Sequence, residues 1–249
     1  MATRHPSFPA ARAFCVGQAK SGTASLCGLL AKNYRAAHEP ERAQLLEMIL
    51  KESQGEVVGK DFRAYLLERD RRLNLEYDIA WANQFIIGYL LEAFPDARFI
   101  VLLRDARSWF QAIVGHLLSR KIPSDVRAFL DWWFKPAQFP HSRYDQAMEA
   151  QGLYSVAAFL NAWNQHVNSC TQAIPPDRRL ILRTDELNQS HQRLASFLGI
   201  PVEQLDPSNG HLNRGTWAGG FDSLVEQAYL DEMIAKMCGE NMARYFCGS

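Results

Sequence analysis

Phe14-Cys15-Val16-Gly17-Gln18-Ala19-Lys20-Ser21-Gly22-Thr23-Ala24-Ser25-Leu26 is the stretch on which the fold turns. A short apolar run of β-forming residues breaks at Gly17 and crosses a small polar turn holding one lysine. It resumes with Leu26, Leu29 and Leu30 at helical spacing, which predicts strand, loop and helix. A loop of this kind is a cradle for a phosphate-like anion. The amides that open a helix lack intrahelical acceptors and sit at the positive end of the peptide dipoles, while glycine lets the main chain come close to an anion. Lys20 adds a full charge, and the hydroxyls of Ser21, Thr23 and Ser25 add donors that rotate to fit. An ordinary strand-to-helix turn without a ligand would carry a similar pattern.

The rest of the chain sets limits on what that loop serves. Its 249 residues suit one α/β domain, taken here as 1–249 with a short extension at 1–13. The 27 basic and 27 acidic residues cancel, so no bulk attraction to nucleic acid or to an anionic membrane is expected, and any anion site must be local. Five cysteines, scattered and without a Cys-x-x-Cys pair, suggest neither a disulfide framework nor a zinc site and fit a reducing compartment. No apolar core of signal-peptide length precedes Phe14, and no run approaches the ~20 apolar residues of a membrane span. A cytoplasmic protein without a transmembrane segment is the expectation.

Downstream, Leu45, Leu46, Ile49 and Leu50 predict a helix after Pro40, and Glu56 to Phe62 predicts a short second parallel strand. The charge-rich residues 63–75 read as a solvated helix face rather than a polyanion patch. Trp81 to Phe94 predicts an amphipathic helix closed by Pro95. Arg98 to Leu103 is nearly all apolar, as in a central parallel strand covered on both faces, and Arg104 stands at its carboxyl end, the edge where ligands collect in open α/β sheets. Beyond three further helical stretches, to Ser119, over Asp125 to Phe134 and over Gly152 to Ala173, Arg179 to Arg183 predicts another strand. The aromatic segment within about 119–150, with Trp132, Trp133, Phe134, Phe139 and Tyr144, reads equally as core or as a lid and acceptor wall.

Lys20-Ser21-Gly22-Thr23 after a hydrophobic strand resembles the 5'-phosphosulfate loop of the sulfotransferases that use 3'-phosphoadenosine 5'-phosphosulfate (PAPS). The spacing of Gly17 and Gly22 also matches the Walker A pattern, but Thr23 and Ala24 occupy the places of its Lys and Ser/Thr, which disfavours a nucleotide kinase. Phe94 to Trp109 is similar to the second sulfotransferase signature, a strand ending in Arg-Asp and a helix supplying a serine, which together hold the 3'-phosphate. Arg104 matches that pattern. Ala112 stands at the serine position and removes one hydroxyl donor. The segment from the Trp163 helix to Gly199-Ile200-Pro201 resembles the carboxyl-terminal half of the family, with Thr184 where a tyrosine is usual. His211 to Trp217 is similar to a shortened Arg-Lys-Gly loop, which adds Arg214 and Gly215 as clamps.

The resemblance implies a P-loop-like three-layer αβα architecture, a central, mostly parallel sheet flanked by helices. It also implies transfer of a sulfuryl group from PAPS to a hydroxyl or amine of a small-molecule, lipid or carbohydrate acceptor, with release of adenosine 3',5'-bisphosphate and no metal. The donor would lie against Lys20, Ser21, Gly22, Thr23, Ala24 and Ser25, with Arg104 and the Ala112 position at its far end. Lys20 would also serve catalysis. The family places a His or Glu base at the end of the second strand or just beyond it; with that strand at 56–62, the candidates are Asp61 and, slightly favoured, Asp78, with Glu76 third. A P-loop nucleotide phosphotransferase and a non-catalytic PAPS-binding relative are the alternatives.

Overall fold

The computed structural model describes residues 12–209 and 223–246. They form two compact units: 12–103 with 170–209, and 104–169 with 223–246.

The first unit is built on five parallel strands: β1 (Ala13–Cys15), β2 (Ala36–His38), β3 (Tyr77–Ile79), β4 (Arg98–Leu103) and β5 (Arg179–Arg183), in the order β2-β3-β1-β4-β5. β1 is central, Cys15 lying between Ile79 and Ile100 in register. The helices α1 (Thr23–Leu30) and α9 (His191–Leu198) cover one face. There Leu26, Leu29, Leu30, Leu194 and Leu198 join Ala13, Cys15, Tyr77, Ile79, Ile100, Leu102 and Leu182 in one buried cluster. Phe14 and Phe99 point to the opposite face, where Phe94 meets Phe14 at a ring distance of 5.0 Å just after α4 (Ile87–Ala93). The helices α2 (Arg42–Ser53) and α3 (Gly59–Leu73) belong to this unit as well. The α/β architecture, a parallel sheet flanked by helices, is the one expected.

One expected strand is not formed. Residues 59–62, placed in a strand over Glu56–Phe62, open α3 instead, and Val58 is 53% exposed as its N-cap. Phe62, Leu66 and Arg69 are buried at four- and three-residue steps, so helical period outweighs two adjacent valines. Asp61 in the first turn suits the positive end of the helix. The missing strands are three-residue pieces, β2 and β3, and the helix expected over 81–94 is a 3₁₀ turn at Trp81–Phe85 followed by α4.

The second unit holds α5 (Ala106–Leu118), α6 (Ser124–Phe134), α7 (Gln146–Ala150), α8 (Val156–Ala173) as far as Ser169, and α10 (Gln227–Phe246). Its core is aromatic. Phe159 meets Phe110 at 5.5 Å and Phe134 at 4.6 Å, and Trp109 meets Trp133 edge-on at 6.5 Å. Trp133 and Phe134 are buried there, whereas Tyr144 is exposed and stacks on Tyr229. Among the described residues no helix is long and apolar enough to cross a membrane.

Candidate functional site

The loop between β1 and α1 is shaped by its own backbone. Val16 N–H continues the ladder to Ile100 O at 3.0 Å, then the chain turns, with both the amide and the hydroxyl of Ser21 donating to Gln18 O at 3.1 and 2.6 Å. Lys20 (φ 69°) and Gly22 (φ 99°) are left-handed, and Gly22 is the N-cap of α1. A glycine cap brings no side chain to the first-turn amides. From the turn after β5, Thr184 Oγ1 lies 2.7 Å from Ser21 O and 3.1 Å from Leu103 O, so its hydroxyl braces the loop against the carboxyl end of β4. Thr184, which stands where the resemblance implies a tyrosine, thus supports the loop.

Gly17 is fixed by space rather than by dihedral angle. A Cβ there would stand 2.7 Å from both Leu102 Cβ and Ser21 Oγ. Leu102 Cβ is held by the backbone of β4 and cannot swing away. Gly17→Ala should therefore destabilise the chain by roughly 1–3 kcal/mol, the usual cost of forcing an added methyl into a packed site. The midpoint of urea unfolding measures it.

At the carboxyl end of β2 lie two residues that sequence reasoning missed. His38 Nε2 is 3.0 Å from Thr23 Oγ1, in the first turn of α1. Burial, and next the Arg42 guanidinium, hold His38 below its ordinary pKa, so the ring is neutral near pH 7 and the Thr23 hydroxyl can donate to Nε2. Glu39 follows. Its Oε1 accepts the Trp81 amide at 3.1 Å and lies 3.6 Å from His38 Nε2. Its Oε2 is buried with no hydrogen-bond partner among the described residues. Burial pushes the Glu39 carboxyl up to about 7 and Asp78 adds to this; the Trp81 amide, Arg42 and Arg69 oppose it.

Both favoured acids are placed differently from Glu39. Asp78 is 3% exposed in the middle of β3, where it forms an ion pair with Arg69 and accepts Asn83 Nδ2 at 3.2 Å. Asp61 is exposed on α3, and Glu76 pairs with Arg12 and Arg35 at 3.5 and 3.7 Å. The structure therefore gathers Lys20, Ser21, Gly22, Thr23, Ala24 and Ser25 on one loop and helix start, with His38 against Thr23. The signal for His38 and Glu39 was positional. A His or Glu is expected at the end of the second strand, and the second strand in chain order is β2.

In the second unit, Arg104 is the residue after β4. Its Nε donates to Ser108 Oγ at 3.0 Å, and Trp163 Nε1 donates to its carbonyl at 2.8 Å. Burial pulls the Arg104 guanidinium below its ordinary range, with Asp105 opposing. Asp105 caps α5 by accepting the Ser108 amide at 2.9 Å. Ser108 and the partly exposed Ala112 are one turn apart on the same side of α5, so a hydroxyl stands beside Arg104 although position 112 has none. Arg214 and Gly215 lie outside the described residues. Among those described, no group of three or more His, Cys, Asp or Glu side chains is arranged to hold a metal.

A parallel sheet in this order, with a glycine-capped loop between its central strand and the next helix, defines the P-loop-like αβα class. The Sulfotransferase domain family matches residues 12–207, and the chain belongs to that family. A sulfotransferase from Alicyclobacillus acidocaldarius is similar over 93% of this chain and 96% of its own, with TM-score 0.51 and 16% identity. Sulfotransferase STF9 from Mycobacterium avium is similar over 98% of this chain and 80% of its own, with TM-score 0.50 and 14% identity. At these identities the likeness is one of fold. The chain matches none of the curated proteins it was compared with. Sulfuryl transfer is the class of activity that the family assigns.

Proposed function

We propose that this protein transfers a sulfuryl group from PAPS to a hydroxyl or amine of a small-molecule, lipid or carbohydrate acceptor, releasing adenosine 3',5'-bisphosphate. The observation that carries this is the loop from Gly17 to Ser25, in which steric contact dictates one glycine, a left-handed cap the other, and a lysine sits between them. In this reading the backbone from Ser21 to Ser25 and the Ser25 hydroxyl hold the 5'-phosphosulfate, while the Ser21 hydroxyl, donating to Gln18 O, and the Thr23 hydroxyl, against His38, shape the loop. Lys20 neutralises charge that builds on the leaving phosphate, and Arg104 binds the 3'-phosphate. The Ser108 hydroxyl donates to the Asp105 carboxylate and accepts from Arg104, so it orients the guanidinium and does not replace the donor that Ala112 lacks. Arg214 and Gly215, outside the described residues, are the further clamps in this reading.

Glu39 is the general base in this proposal. A catalytic base works best with a pKa near the working pH, and Glu39 is at about 7. Its Oε2 has no hydrogen-bond partner among the described residues, so no donor competes for that oxygen. The Thr23 to His38 contact ties the donor loop to the strand end that carries it. Asp78, already paired with Arg69, serves better as a support than as a base. The four described cysteines, Cys15, Cys27, Cys170 and Cys238, are free and buried, which supports placement in the reducing cytoplasm.

Calorimetric titration tests the donor assignment. Adenosine 3',5'-bisphosphate is expected to bind, ATP with magnesium is not, and Arg104→Ala should weaken the bisphosphate by about 10- to 100-fold, the worth of a hydrogen bond to a charged group. Binding of magnesium-ATP alone would favour the phosphotransferase. Bisphosphate binding without sulfate transfer to any of a panel of phenols, sugars, amines and lipids, read by mass spectrometry, would identify a non-catalytic relative.

A further inference from the structure

The turn that carries Glu39 is strained. Glu39 (φ 56°) and Glu41 (φ 49°) are both left-handed without being glycine, and they flank Pro40. A side chain at such a φ is strained, and the conformation persists only where neighbours over-determine it. Here the neighbour is Arg69, which reaches in from α3. Its Nη2 donates to Pro40 O at 2.8 Å, its Nη1 pairs with Asp78, and its Nε lies 3.9 Å from Glu41 Oε2. Arg72, one turn outward, grips the same Glu41 carboxylate through Nε and Nη2 at 2.9 and 2.7 Å. Arg69 is 3% exposed among solvated charges on the same helix. A buried ion pair stabilises a fold weakly at best, so its presence calls for another reason.

We propose that Arg69 is a positioning residue for Glu39: anchored by Asp78, it holds the Pro40 carbonyl and so fixes the strained turn that keeps the Glu39 carboxylate beside the Thr23–His38 contact. This rests on Glu39 being the base. Asp78 anchors the guanidinium, and the carbonyl needs a planar fork that spans both partners at once. Among the described residues, the titratable and charged groups facing Glu39 are Cys15 on β1, His38 on β2, Arg42 on α2, Arg69 on α3 and Asp78 on β3. Arg69 therefore acts on Glu39 twice, through the shape of the turn and through its charge.

The two effects separate in variants. Titration of ¹³C-glutamate-labelled protein by NMR, with the Glu39 resonance assigned by its loss in Glu39→Gln, reads the proton affinity directly. Arg69→Gln should raise the Glu39 midpoint by about half a pH unit or more, and Asp78→Asn should lower it. Arg69→Lys keeps the charge but cannot span both partners, so the midpoint should stay while turnover of PAPS with the acceptor panel falls roughly tenfold. Affinity for adenosine 3',5'-bisphosphate should stay within about twofold in all three, because the loop from Gly17 to Ser25 is untouched. An Arg69→Gln protein with unchanged Glu39 midpoint and unchanged turnover overturns the proposal. If that variant does not fold, Arg69→Lys with wild-type turnover overturns it instead. A wild type that binds no bisphosphate, or a fully active Glu39→Gln, removes the underlying sulfotransfer reading, which is a different result from either.

Discussion

Glu39→Gln is expected to lower turnover by about 10²–10⁴ while making the protein more stable above pH 7, a combination that few substitutions produce. The loss follows from removing the base, since an amide cannot take the acceptor's proton. The gain follows from burial. Glu39 is raised from 4.5 to about 7 in the folded chain, so between these values the folded state holds a proton that the unfolded chain has released. Stability from this group is complete below the unfolded pKa and is lost as pH rises through 7. Glutamine never ionises and escapes that loss, and its Oε1 can still accept the Trp81 amide. The difference is on the order of 2 kcal/mol at pH 8.5, or roughly 5 °C in Tm. Thermal unfolding at pH 5 and pH 8.5 measures the stability, and the acid limb of kcat/KM, expected near pH 7 in the wild type and absent in the variant, measures the chemistry. A variant that loses stability at both pH values would mean that the Glu39 carboxylate serves the fold and not the reaction.

That such a residue went unread in the sequence has a physical cause. Glu39 precedes Pro40 and a helix, where an acidic residue looks like an ordinary helix start, and the strand before it is Ala36-Ala37-His38, partly exposed at the edge of the sheet. An edge strand of three small or polar residues carries no periodicity to find. The buried strands behave otherwise. β4, buried from Phe99 to Leu103, was legible as a continuous apolar run, and so was the break at Gly17 that ends β1. The error at Val57-Val58 came from trusting two β-branched residues over the longer stripe of Phe62, Leu66 and Arg69. Arg69 is the instructive member of that stripe. Glu68, Arg71 and Arg72 are exposed, as a charge-rich helix predicts, but Arg69 falls at core spacing, and a charge at a core position calls for a buried partner.

Lys20→Ala should reduce sulfuryl transfer by about 10²–10³, the effect of deleting one well-placed donor to a charge that grows in the transition state. The ammonium is expected to matter more for kcat than for affinity toward the bisphosphate product, because the charge on the leaving phosphate increases as the sulfuryl group departs. Its backbone makes a second comparison available. At φ 69° Lys20 occupies a conformation that costs a side-chain-bearing residue on the order of 1 kcal/mol and glycine little. Lys20→Gly should therefore lose transfer as fully as Lys20→Ala yet unfold at higher urea, by roughly 0.5–1 kcal/mol. Natural use of lysine at that position then reflects a charge retained against local strain, as is common where backbone outliers cluster at reacting groups. Single-turnover transfer from PAPS, set beside urea unfolding of the two variants, separates charge from strain. Equal activity of wild type and Lys20→Ala would remove the lysine from the mechanism and leave the helix amides and hydroxyls as the whole of the anion site.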